Sequence, residues 1–222
     1  MNVRGPKPKA KVHIEWSDNF AYAIGLLASD GHMSKDGRHI DLTSKDVEQL
    51  ENFMICLGIS NKIGSKRSGA GLIHKRVQFG DVHFYQFLLS IGMTPTKSKT
   101  IGSLDIPRKY FFDFLRGSFD GDGSFHSYFD PRWKSSFMFY TTFASASRTH
   151  VDWIRAIIEE SLGVTGHITT DGRKRTHQLK YAKADSLKIL KSMYYSDTVV
   201  CLDRKRQKIK KALRVANKTL NS

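Results

Sequence analysis

Phe114-Leu115-Arg116-Gly117-Ser118-Phe119-Asp120-Gly121-Asp122-Gly123 decides how this chain is read. The run looks like the end of a helix that opens near Pro107, a residue suited to a first helical turn. Asp122 falls where that helix stops, and Gly123 stands just past the end, where glycine is favoured. Gly117 and Gly121 are four residues apart and share one face, which leaves a groove for the close approach of another backbone. Asp122 is badly placed for a carboxylate, because a helix C-terminus already carries unpaired carbonyls and partial negative charge. A carboxylate among free carbonyl oxygens is a hard, all-oxygen environment suited to Mg²⁺ or Ca²⁺.

The stretch has an echo in Ala23-Ile24-Gly25-Leu26-Leu27-Ala28-Ser29-Asp30-Gly31. Gly25 and Ser29 are the small pair, Asp30 the terminal carboxylate and Gly31 the residue past the helix end. The two aspartates lie a little under half of the 222 residues apart, and the pattern around each is the same. In the first half, Ser17 or Asp18 caps a helix to Asp30. Asp36-Gly37 then turns a hairpin, and Asp46 caps a helix that Gly58 ends. Lys62 to Gly80 is a second hairpin, and Val82 to Ile91 is a third helix. In the second half, Ser124 to Phe129 and Ser136 to Ala144 form the first hairpin, and Ser147 caps a helix to Leu162. Val164 to Tyr181 is the second hairpin, Lys183 to Tyr194 a helix, Val199 to Leu202 a brief extended piece, and Asp203 caps a last basic helix.

The fold class expected is therefore α+β: tandem αββαββα repeats, each an antiparallel sheet backed by helices. The divisions are a basic flexible arm over residues 1–16, half-domains over 17–93 and 107–222, and a linker over 94–106. Strand alternation turns one set of mostly polar side chains outward in each sheet. In the first half these are His32, Ser34, Arg38, Arg76 and Gln78, with Lys66 and Arg67 at a basic hairpin tip. In the second they are Ser124, His126, Met138, Tyr140, Thr142, Gln178 and Lys180, with Arg173, Lys174 and Arg175 at the matching tip. Such side chains hydrogen-bond base edges and phosphates.

Composition agrees with a polyanion partner. Lys and Arg number 36 against 21 Asp and Glu, a net charge of +15, which points most simply to nucleic acid. Cys56 and Cys201 stand alone, without Cys or His at zinc spacing. No apolar run approaches the ~18 residues of a membrane span, and the basic, Pro-rich start from Met1 to Lys11 lacks the core of a signal peptide. An intracellular protein is expected. The chain lacks a splicing-type Cys or Ser start and a His-Asn end, so a complete intein is not expected.

The two motif copies, Gly25…Ser29-Asp30-Gly31 and Gly117…Gly121-Asp122-Gly123, resemble the signature of the LAGLIDADG homing endonucleases. The resemblance extends over about residues 17 to 215. It departs at Ala28, where the motif has an acidic residue, and at Arg116 and Ser118 in the apolar stretch. It implies that the two motif helices pack together through Gly25, Ser29, Gly117 and Gly121. It further implies that Asp30 and Asp122 bind Mg²⁺ above the DNA minor groove, helped by the Ser29 and Gly121 carbonyls. Mn²⁺ substitutes in this scheme, and Ca²⁺ supports binding without cleavage. Two saddle-shaped sheets would read the major groove of double-stranded DNA at a long, non-palindromic target. The implied reaction is a double-strand break with short 3′ overhangs made by a monomer. A basic residue near each scissile phosphate is also implied, with Lys97 or Lys99 the candidates in the first half and Arg204 or Lys205 in the second. The competing readings are a cleavage-inactive intron maturase or transcription regulator of the same fold, and a structural RNA-binding protein. The paired aspartates favour the nuclease over the first. The second is disfavoured because the outward faces lack paired aromatics of the RRM type, with Tyr128 and Tyr140 the partial exception.

Overall fold

Ser17 starts the first motif helix as its N-cap, its hydroxyl accepting from the Phe20 amide at 3.1 Å. The structure, a computed structural model, describes residues 10–67, 69, 71–133, 135–172 and 176–220, with backbone only at 98 and 99. Helix α1 (Asp18–Asp30) leads into β1 (Gly31–Met33), β2 (His39–Ser44), α2 (Val47–Leu57), β3 (Gly64–Arg67), β4 (Ile73–Gly80) and α3 (Val82–Ser90). A short α4 (Lys97–Thr100) and a 3₁₀ turn (Arg108–Tyr110) connect to the second unit. That unit is α5 (Phe111–Asp122), β5 (Ser124–Phe129), β6 (Phe137–Ser145), α6 (Arg148–Leu162), β7 (His167–Thr170), β8 (His177–Ala182) and α7 (Lys183–Met193), followed by α8 (Asp203–Val215).

The two antiparallel sheets have matching orders, β1-β2-β4-β3 and β5-β6-β8-β7. Registry puts Ile40 opposite Phe79, Leu42 opposite Val77 and Phe143 opposite Leu179. All six are buried, so each sheet lays one face on a core beneath its helices, as the strand period of two requires. The expected α+β architecture of two αββαββα units is the observed one.

Helices α1 and α5 form the centre. Residues Phe20 to Leu27 of α1 are buried without a break, the mark of a helix enclosed on all sides. A Cβ on Gly25 would overlap the Phe114 carbonyl, and one on Gly117 the Tyr22 carbonyl. The glycines therefore serve backbone-to-backbone contact between helices. Gly31 and Gly123 differ from expectation. Neither is a left-handed cap, since their φ values are -77° and -78°. Each is required because a Cβ there would run into the last turn of its own helix, at Leu27 and Phe119 respectively.

Arg116 explains one departure from the motif. It is fully buried, yet its guanidinium donates to the Val200 carbonyl at 2.8 Å and the Met193 carbonyl at 2.7 Å, and pairs with Asp113 at 2.8 Å. The segment after α7 joins no strand, although Leu202 keeps the extended backbone expected there. Its backbone groups bond side chains instead of a strand: Val200 to Arg116, Cys201 to Asn52 at 3.0 Å, and the Leu202 amide to buried Asp120 at 2.7 Å. Asp203 is the first residue of α8 and Leu202 holds the cap position.

Two further expectations are corrected. A 3₁₀ turn precedes α5, so the regular motif helix starts at Phe111, later than Pro107. The arm expected over residues 1–16 is anchored along its final part. The Lys11 and Val12 amides donate to Asp81 at 2.6 and 3.0 Å, Val12 is buried, and the Trp16 ring packs edge-on against Phe20 at 5.5 Å. Apolar Val12 and Trp16 gain more from the core than from solvent. Residues 1–9 lie outside the described residues.

The halves are also clasped crosswise. The segment after α7 reaches α2 of the first unit through Asn52–Cys201, the Asp203 amide to Glu48 at 2.9 Å, and the Arg204–Asp46 ion pair. The segment after α4 reaches α6 of the second unit, where Ser147 and Thr149 donate to the Ile101 carbonyl and His150 to the Gly102 carbonyl at 2.8 Å.

Candidate active site

The ends of α1 and α5 come together at Gly121. A Cβ there would collide with the Ser29 hydroxyl and approach the Asp30 carboxylate to 2.9 Å, so the glycine is what lets Asp30 lie against the end of the other motif helix. Asp30 is half-buried and accepts from the Gln49 amide at 2.8 Å. Asp122 opens to solvent on one side while protein crowds the other. Burial raises the pKa of both carboxyls. The charge of Asp30 raises Asp122 further, whereas Lys97 and Lys205 pull both down.

Each helix end is met by one lysine. Lys97, buried in the first turn of α4, donates to the Ala28 and Ser29 carbonyls at 2.8 and 3.1 Å. Lys205, in the first turn of α8, donates to the carbonyls of Phe119, of Asp120 at 2.9 Å and of Gly123 at 2.7 Å. An ammonium group on the terminal carbonyls offsets the negative end of the helix dipole, which makes room electrostatically for Asp30 and Asp122. Burial pushes both lysines down to about 8, against the pull of the neighbouring carboxylates. Of the other two candidates, Arg204 is drawn off by Asp46 on α2. The side chain of Lys99 lies outside the described residues.

Gln49 lines the site and sequence reading passes over it, as it does over His150, its counterpart by position in the second unit. They occupy equivalent places, third after the cap positions Asp46 and Ser147. Gln49 holds Asp30. His150 turns instead to the Gly102 carbonyl, so the two aspartates have different neighbours. The available signal was a polar residue four before Phe53, and four before Ile154, on otherwise apolar helix stripes.

His150 carries a pH prediction. Burial pushes its pKa down to about 4, with its bond to Gly102 opposing and Lys97 reinforcing the shift. An unfolded chain takes up this proton near 6.5, so between pH 6.5 and 4 the unfolded state binds more protons and stability falls with falling pH. His150→Gln, which keeps a donor for Gly102, is expected to flatten that fall, by up to about 3 kcal/mol at the acid end. Urea midpoints of the two proteins at pH 7 and pH 4.5 measure the difference. Parallel losses would show that His150 is not the responsible group.

No three His, Cys, Asp or Glu cluster as a metal cage among the described residues. The donors present are two carboxylates and the carbonyl oxygens of two helix ends, one of which, Ser29, is bonded by Lys97. Mg²⁺ is ordinarily held by one or two carboxylates completed by water and substrate phosphate rather than by an all-protein cage, so this oxygen set fits a cation shared with a nucleic acid.

The outward sheet faces hold most of the predicted contact residues. Arg76 and Gln78 stand opposite Thr43 and Asp41. Asp41 is buried beneath His32 at 3.2 Å, Thr43 at 3.3 Å and Lys66 at 3.5 Å. Lys66 and Arg67 do not act together, since alternation in β3 turns them to opposite faces. Ser34 lies past the end of β1, its carbonyl bonded by Tyr85, and exposed Arg38 lies over Gly80. In the second sheet, Ser124, Thr142 and Lys180 form one cross-strand row and His126 and Tyr140 the next, with Met138 beyond them opposite Tyr128. Gln178 is exposed on the same face. Arg173, Lys174 and Arg175 lie outside the described residues.

No family model matches the chain, and no curated protein is similar to it in sequence. Solved structures are similar in fold. The homing endonuclease I-WcaI bound to its DNA recognition sequence superposes with a TM-score of 0.60 at 13% identity, covering 94% of this chain and 95% of that one. I-DmoI in complex with DNA and Ca gives 0.55 at 13% identity, covering 86% and 97%. Full-length DUF199/WhiA from Thermatoga maritima gives 0.55 at 14% identity, covering 92% and 71%. With glycine-packed motif helices between two β-β-β-β sheets of matching order, this chain has the LAGLIDADG homing-endonuclease fold, both units in one polypeptide.

Proposed function

We propose that the protein is a site-specific DNA endonuclease that cuts both strands of a long, non-palindromic target in a Mg²⁺-dependent reaction. The observation that carries this reading is the duplicated site: two aspartates at the joined ends of packed helices, each end met by its own lysine, Lys97 buried and Lys205 half-buried. A bound divalent cation would supply charge neutralisation at the scissile phosphate and an activated water. Asp30 and Asp122 would hold it, and Gly121 keeps them close enough to serve opposite strands. Lys97 and Lys205 would face the developing phosphate charge once a cation and DNA compete for the carbonyls they now bond. The sheets would lie in the major groove on either side. The fold shared with DNA-bound I-WcaI and I-DmoI supports a duplex partner.

The shared fold with WhiA favours a second reading, a binding protein without cleavage. The two separate in one experiment, in which the protein is incubated with a random-sequence duplex library and Mg²⁺ and ends with short 3′ overhangs are captured. Enrichment of one cleaved sequence supports the nuclease; enrichment of bound but intact duplex supports the alternative. In either case a protein of charge +15 that neutralises ~8–10 phosphates is expected to lose ~10⁴–10⁵ in affinity between 50 and 200 mM salt. Arg76→Ala is expected to relax preference at one base and weaken binding by ~1–3 kcal/mol. Uniform weakening over all sequences would instead make Arg76 a phosphate contact.

A further inference from the structure

The outward faces of the two sheets differ in kind. In the first, the strand positions facing outward carry His, Asp, Thr, Arg, Gln and Lys, with no Tyr, Phe or Trp among the described residues. In the second, an aromatic surface covers the part away from the aspartates. Tyr128 and Tyr140 stack at 6.1 Å with their planes 14° apart, and His126 lies 5.6 Å from Tyr128. Met138 stands opposite Tyr128 across the strand pair. The Lys180 ammonium stands 4.1 Å over the Tyr140 ring. Beyond the row, Trp133 in the β5–β6 turn is 69% exposed.

An apolar surface on a DNA-facing sheet has one complement in the major groove. The C5-methyl of thymine is the apolar group on a base edge there, whereas G, A and C offer hydrogen-bonding atoms. His126, Tyr128, Met138 and Tyr140 include no forked donor of the Arg, Asn or Gln type that matches G or A bidentately. The polar groups that could do so, Lys180 and Gln178, lie across β6 on β8, while Ser124 and Thr142 take the row next to Asp122. We propose that the second sheet reads its half-site by burying thymine methyl groups against the Tyr128–Tyr140 surface, while the first sheet reads its half-site by hydrogen bonds. Position follows from strand geometry. His126 and Tyr128 are two and four residues beyond Ser124, about 7 and 14 Å at ~3.4 Å per residue. A strand lying along the groove thus places the methyl contacts roughly two to four base-pair steps outward of the base facing Ser124, at ~3.4 Å per step. The Lys180 ammonium, held by cation–π attraction to Tyr140, supplies the positive charge that keeps this apolar patch on a polyanion.

This inference rests on the proposed DNA-binding reading, and the test separates the two. Duplexes are selected from a random-sequence library by the full chain in Ca²⁺, and the half relaxed by Arg76→Ala is assigned to the first sheet. The selected duplex is then resynthesised with deoxyuridine for thymidine in one half at a time, which removes only the methyls. Each buried methyl is worth about four-fold in affinity, so the second-sheet half is expected to lose ~10-fold for two contacts. The first-sheet half should change less than about two-fold, as expected of readout through base-edge hydrogen bonds. Tyr128→Ser combined with Tyr140→Ser is expected to erase the difference between thymidine and deoxyuridine. Equal affinity for the two in the second-sheet half, or equal losses in both halves, overturns the inference while leaving duplex binding intact. Failure to enrich any duplex overturns the DNA-binding reading together with it.

Discussion

Asp122→Asn is expected to abolish cutting of at least one strand while leaving duplex affinity in Ca²⁺ within a few-fold of the parent. The substitution keeps size and shape and removes the charge. A bound cation contributes several kcal/mol of charge stabilisation, so its loss at one centre corresponds to a rate loss of at least ~10³-fold. Folding responds in the opposite direction. The Asp122 carboxyl is raised by burial and by the charge of Asp30, which means that its ionised form is disfavoured in the native state at pH 7. Removing that charge should leave the thermal midpoint unchanged or higher. The informative combination is therefore a protein at least as stable as the parent that nicks one strand or none, read on supercoiled plasmid bearing the selected site. Full double-strand cleavage by the variant would remove Asp122 from the site, and an inactive variant with a lowered midpoint would mean that its role is structural.

Gly117→Ala is expected to be among the most destabilising single-methyl changes in the chain. Its Cβ would enter the Tyr22 carbonyl and come within 3.0 Å of the Leu26 amide nitrogen. Both are backbone atoms of a helix buried on all sides, so neither can swing away as a side chain would. Overpacking of this kind exceeds the usual 1–3 kcal/mol, and about 3 kcal/mol or more is expected. For a protein of this size that is a fall in Tm of roughly 10 °C. Gly102→Ala is the control: nothing lies within 4 Å of a Cβ there, and a change within about 0.5 kcal/mol is expected. Calorimetry of the two variants decides the matter. Similar midpoints would mean that α1 and α5 part easily, and the backbone-contact account would fall.

The fold is readable from the sequence because its punctuation is local. Asp36-Gly37 marks one hairpin, Gly58 and Gly163 take up the left-handed helix ends at φ +63° and +66°, and strand alternation from Phe137 to Phe143 matches the buried face. The repeated small-residue pairs announce a helix–helix contact because nothing else demands glycine at that spacing. Contacts made over long reach leave no such local mark. Whether Lys205 or Arg204 meets a helix end is set by the position of Asp46 on a distant helix, which no local pattern carries. Arg116 reads as a flaw in an apolar run because its partners, Met193 and Val200, are backbone carbonyls far along the chain. Asp41 shares the outward face with Gln78 but is sealed over by three neighbours whose meeting is tertiary.

The crosswise clasp has a consequence for how such a protein is divided. The segment that carries Lys205 toward the Asp122 end is moored on α2 of the first unit, and the segment that follows Lys97 is moored on α6 of the second. Each unit thus holds the other's lysine in register. A chimaera that joined one of these units to a foreign partner would inherit its own aspartate and sheet but lose the mooring for its lysine, unless the borrowed helix also presented counterparts of Asp46, Glu48 and Asn52 or of Ser147 and His150. The natural exchangeable piece is a sheet face with its hairpin tips, grafted onto an intact centre.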